Sequence, residues 1–97
     1  MIVVTPQAVS DIEQAFDYYA GIDQELSRRF VDDVDAVIER IVMFPKGSPP
    51  VEGFDELRRA RMRQFPYAIF YTETQEGELI LVRVLHSRRH RPDVLSG

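Results

Sequence analysis

The chain has 97 residues, a net charge of −4, 44% hydrophobic residues and no cysteine. That is enough for one small domain, excludes disulfides and thiolate metal sites, and makes a reducing cytoplasm the expected compartment. No stretch approaches the ~20 apolar residues of a membrane span, and Met1-Ile2-Val3-Val4-Thr5-Pro6 has no signal-peptide pattern.

Ile2-Val3-Val4 reads as a short strand. Thr5 then offers an N-cap and Pro6 a first helical position. Ala8, Ile12, Ala15, Phe16 and Tyr19 follow at helical spacing, which predicts a helix from about Pro6 to Ala20, closed by Gly21. Asp23 caps a second helix whose stripe is Leu26, Phe30, Val34, Val37, Ile38, Ile41 and Phe44, ended by Pro45 and Gly47. Asp32, Asp33, Asp35 and Glu39 are expected on its solvated side. The segment 46–53 is rich in Gly and Pro and reads as a loop.

Three strands are predicted next, at about Leu57–Gln64, Tyr67–Thr72 and Leu79–His86, broken by Phe65-Pro66 and by the turn 75–78. Their short spacing implies an antiparallel meander. The expected fold is therefore α+β, ordered β-α-α-β-β-β, with a helical hairpin packed on one face of a mainly antiparallel sheet. Residues 1–97 form one domain in this reading, with about 91–97 as a loose tail.

Charge is distributed unevenly. Residues 1–56 carry 12 Asp/Glu against 4 Lys/Arg, and residues 57–97 carry 4 against 8. Only Lys46 is a lysine, and the arginine fork suits carboxylate or phosphate. In the first basic strand, parity puts Arg59, Arg61 and Arg63 on the face opposite Ala60 and Met62. If the latter pair meets the helices, the three arginines line the open face as an anion-binding row. In the last strand Ile80, Val82, Val84 and His86 share one parity, and Leu79, Leu81, Arg83 and Leu85 the other. Arg83 is a lone charge among apolar residues, so it needs the arginine row beside it or a carboxylate partner. Histidine is the side chain suited to proton transfer near neutral pH, so His86 is the candidate general acid or base; it also fits a hydrogen-bonded residue ending a strand. His90 falls in the tail. Tyr67, Phe70 and Tyr71 suit cross-strand packing better than base stacking. No metal-ligand spacing, phosphate loop, GxGxxG or GxSxG motif is present, and no cofactor or metal is expected.

The element order, the Leu57-Arg58 entry to the second strand, Phe65-Pro66-Tyr67-Ala68-Ile69-Phe70-Tyr71, and Arg83-Val84-Leu85-His86-Ser87-Arg88-Arg89 together resemble the RelE/ParE superfamily. Its members are toxins of bacterial type II toxin–antitoxin modules, often called plasmid stabilisation proteins. The resemblance runs from Ile2 to about Arg91. The RelE-like branch consists of ribosome-dependent mRNA endoribonucleases, and its catalytic positions would map to Arg61, Arg63, Arg83 and His86. Two features depart from that branch: no tyrosine follows Tyr71, and the acidic balance opposes binding to ribosomal RNA. The Val-Leu-His-x-Arg-Arg ending is closer to the ParE-like branch, which implies inhibition of DNA gyrase by protein–protein contact, with no catalytic residue assigned. A member that binds antitoxin without toxicity is a further reading. In the ParE-like reading the binding surface comprises Arg59, Arg61, Arg63, Arg83, Arg88 and Arg89. The partners are a cognate antitoxin and gyrase in a cytoplasmic hetero-oligomer, or the ribosome and mRNA in the nuclease reading. An antitoxin would add a strand to a sheet edge or lay an apolar helix in a groove beside the helical hairpin.

Overall fold

The computed structural model describes residues 2–87. Its elements are β1 (Ile2–Val4), α1 (Pro6–Ile22), α2 (Gln24–Met43), β2 (Arg58–Arg61), β3 (Tyr67–Glu73) and β4 (Leu79–His86). The expected α+β architecture is present, with two helices on a four-stranded sheet ordered β1-β4-β3-β2. β2, β3 and β4 form the antiparallel meander. β1 pairs in parallel with β4, but only from Leu79 to Leu81, so β4 outruns its neighbour.

Local chemistry accounts for the helices. The Thr5 hydroxyl accepts from the Ala8 N–H while Pro6 fills a position that needs no donor. The helix continues one turn-end past the predicted Ala20 and takes Gly21 inside it; extended Asp23 closes it by donating its N–H to Tyr19. The same Asp23 opens α2, where its carboxylate accepts from the Glu25 N–H at 2.8 Å. One residue thus joins the helices into a tight hairpin.

The core lies between hairpin and sheet. Ala8 and Ala15 of α1 and Phe30, Val34, Val37 and Ile41 of α2 pack on Ala60, Met62, Ile69, Tyr71, Leu79, Leu81 and Val84. Tyr71 is fully buried, and its hydroxyl donates to the Pro45 carbonyl at 2.7 Å, tying the sheet to the end of α2. Two stripe residues are exposed: Phe16 at 38%, and Phe44, the α2 C-cap, at 61%.

The structure corrects three expectations. β2 ends at Arg61, so Arg63 has left the strand and does not continue the row of Arg59 and Arg61. The cause is a second correction: Asp33 is buried, not solvated. Its carboxylate accepts from the N–H groups of Arg63 and Gln64 (3.3 and 2.8 Å), claiming donors that strand pairing would have used. Third, the alternation of β4 breaks at a bulge. Tyr71 pairs with Leu81 but Phe70 with Arg83, leaving Val82 as the extra residue. Leu79 and Leu81 therefore face the helices before the bulge, and Val84 does after it.

Candidate functional site

The bulge is held from outside the sheet. The Thr5 N–H donates to the Leu81 carbonyl (3.0 Å) and its hydroxyl to the Val82 carbonyl (2.7 Å). Six residues on, Asp11 meets the other side of the bulge. Its carboxylate accepts from Arg83 Nε (2.7 Å), Arg83 Nη2 (3.0 Å) and the Val84 N–H (2.9 Å). Both side chains are largely covered, at 26% and 12% exposure. The hydrogen bond to Asp11 raises the guanidinium's affinity for its proton further. Arg83 accordingly meets the expectation of a carboxylate partner.

His86 ends β4, pairs with Tyr67 and meets its ring edge-on at 5.2 Å. Tyr67 packs in turn against Tyr19 and Phe30 of the helices. His86 therefore belongs to the helix-side face. Burial holds Tyr19 in its protonated form to higher pH than usual, assisted by the neighbouring Tyr67 and Tyr18.

The remaining arginines sit elsewhere. Ala60 faces the helices, so its neighbours Arg59 and Arg61 project from the opposite side of the sheet. Arg61 is exposed, and Arg59 is half-buried beside Phe70. Ala68 and Phe70 are buried on this same side, which is therefore not a bare surface. Arg40 of α2 donates to the Arg61 carbonyl at 2.8 Å, so two cations meet at the edge of β2. Among the described residues the ion pairs are Glu25 with Arg28 and Arg29, and Asp11 with Arg83. Arg59, Arg61 and Arg63 have no carboxylate partner there.

The sequence-predicted residues thus form two groups. Arg59 and Arg61, with exposed Arg63 beyond the strand, make a cationic margin along β2. Arg83 and His86 lie two strands away, against α1 and Tyr67. Arg88, Arg89, His90 and the tail from Arg91 lie outside the described residues. Among those described, no group of His, Asp or Glu side chains is placed to hold a metal ion, and no helix is long and apolar enough to cross a membrane.

Sequence reasoning missed Asp11, Asp33 and the bracing role of the Thr5 hydroxyl. A lone arginine in an apolar strand signals a missing carboxylate, but nothing in the spacing selects Asp11 among the acidic residues.

A family model described as the ParE toxin of the type II toxin–antitoxin system parDE matches residues 2–91. No curated protein sequence matches the chain. A solved chain described as the chromosomal ParDE TA system from P. aeruginosa is similar in fold. Its TM-score is 0.76 at 15% identity, over 88% of this chain and 92% of that one.

Proposed function

The chain belongs to the ParE toxin family of type II toxin–antitoxin systems, and from that premise we propose that it arrests growth by binding DNA gyrase in the cytoplasm until a cognate antitoxin sequesters it. In this reading it performs no catalysis of its own. One observation carries the choice over RNA cleavage: Arg61 and His86 project from opposite faces of the sheet. The cross-strand series Arg61, Ala68 and Leu85 lies on one face, while Tyr67 and His86 lie against the helices on the other. A phosphate undergoing transesterification needs its base and its charge-stabilising cations around one centre. Arg83 supplies no second cation there, being engaged by Asp11.

The cationic margin suits a protein partner. Among the described residues Arg59, Arg61 and Arg63 have no carboxylate partner, so an acidic surface can pair with them without displacing one of these. The test is gyrase-dependent supercoiling of a relaxed plasmid by purified gyrase with the purified chain. Inhibition that is relieved by the antitoxin is expected; unimpaired supercoiling at excess chain contradicts the reading.

A further inference from the structure

The end of α2 departs from the pattern of its own helix. The apolar stripe Phe30, Val34, Val37 and Ile41 is buried, yet the next three residues, Val42, Met43 and Phe44, are exposed by 49%, 70% and 61%. Single exposed apolar side chains are ordinary on a protein surface. Three large ones in succession, closing an otherwise amphipathic helix, are a feature that sequences avoid unless a partner covers them.

This patch is held in place. The Phe44 N–H donates to the Arg40 carbonyl, and the Gly47 N–H to the Phe44 carbonyl, both at 2.9 Å. Arg58 of β2 donates to the Lys46 and Ser48 carbonyls (3.3 and 2.6 Å), pinning the turn that follows. That turn closes tightly: a Cβ on Gly47 would stand 3.2 Å from the Cβ and from the carbonyl oxygen of Phe44. An exposed aromatic on a fixed backbone has little conformational freedom left to lose on binding.

Charge selects the partner. Residues 39–48 hold one carboxylate, Glu39, against two cations, Arg40 and Lys46. Arg40 precedes Met43 by three positions and Phe44 by four, the spacing of side chains on one side of a helix. Its guanidinium donates to the Arg61 carbonyl, which joins the apolar patch to the cationic margin of β2. Among the described residues Arg40, Lys46 and Arg61 have no carboxylate partner. A second copy meeting the first at this patch would set cations against cations. An apolar cleft rimmed by carboxylates complements both the patch and its rim, and aromatic, Met and Arg side chains are the ones enriched at protein interfaces.

We propose that Met43 and Phe44 are the apolar anchors of the surface that binds gyrase. They seat in an apolar cleft of that enzyme, and carboxylates around the cleft meet Arg40, Lys46 and Arg61. The inference rests on the gyrase reading above and adds the anchors and the chemistry of the cleft that receives them.

The test uses the full chain and purified gyrase. Affinity and inhibition of supercoiling are measured for the unsubstituted chain, for Met43→Ser combined with Phe44→Ser, and for Phe44→Leu. Thermal unfolding and affinity for the antitoxin are followed in parallel. The double variant is expected to lose about 30-fold or more in affinity for gyrase, as central anchors do. Phe44→Leu, which keeps an apolar side chain, should lose less than about tenfold. Unfolding temperature and antitoxin binding should stay unchanged, since both positions are exposed. Lys46→Glu should weaken gyrase binding and reduce its sensitivity to salt, a change that a purely structural role would not produce. Gyrase affinity within about threefold of the parent in the folded double variant overturns the assignment. Loss of antitoxin binding in place of gyrase binding overturns it too. Failure of the unsubstituted chain to bind gyrase overturns the gyrase reading itself.

Discussion

Asp11 and Arg83, 72 positions apart in sequence, form a two-point ion pair at the bulge of β4, and the same carboxylate takes the Val84 N–H. Helix α1 thereby fixes the point where the strand changes face. Asp11→Ala removes all three hydrogen bonds and leaves a largely covered guanidinium without its partner. A loss of about 2–4 kcal/mol is expected, or roughly 10–25 °C in Tm for a domain of this size. A double-mutant cycle with Arg83→Ala should return a coupling above about 1 kcal/mol. Additive effects would mean the pair contributes nothing as a pair.

Asp33 performs the corresponding task at the end of β2. Asp33→Ala strands the Arg63 and Gln64 N–H groups, with an expected cost of about 2–3 kcal/mol by chemical denaturation. Asp33→Asn, which keeps one carbonyl acceptor, should cost less. Equal effects of the two would show that the second accepting oxygen is immaterial.

These two carboxylates mark the boundary of what the sequence makes legible. Strand β4, both helix starts and the apolar residues of α2 from Phe30 to Ile41 follow from periodicity and capping residues, because these are local signals. The face of Arg83 and the end of β2 do not. Each is decided by a helix carboxylate reaching across 30 residues or more, and a polar residue that pairs in the interior looks like one that meets water. Parity also fails once a single extra residue, Val82, enters the strand. The arginine residues of the site were legible; the capture of Arg83 by Asp11 and the placing of His86 on the face opposite Arg61 were not.

Tyr71→Phe deletes one buried hydrogen bond to the Pro45 carbonyl while keeping the ring. A loss of about 1 kcal/mol in unfolding free energy is expected, with growth arrest preserved. Loss of arrest in a folded variant would show that this hydrogen bond positions the α2 end for target binding.

Tyr19 should ionise later than an ordinary tyrosine on alkaline titration followed by absorbance. Its folded-state pKa is raised above 10.0, so its contribution to stability is complete below that value and is lost as pH rises through the folded value. Tyr19→Phe should flatten this alkaline decline; an unchanged pH profile would remove Tyr19 as its source.

Arg59→Glu with Arg61→Glu reverses the cationic margin at partly or fully exposed positions. Stability should change by no more than about 0.5 kcal/mol per site, while growth arrest weakens. Full arrest at normal protein level would exclude this margin from the target interface.

The central claim is that this toxin acts by contact with gyrase and not by cutting RNA. It is tested most directly by pulsed expression without antitoxin, mapping messenger RNA 5′ ends and plasmid supercoiling in the same cells. Intact messages with loss of gyrase-dependent supercoiling and a DNA-damage response are the expected result. Codon-positioned cuts in messenger RNA, abolished by Arg61→Ala or His86→Ala, would contradict it.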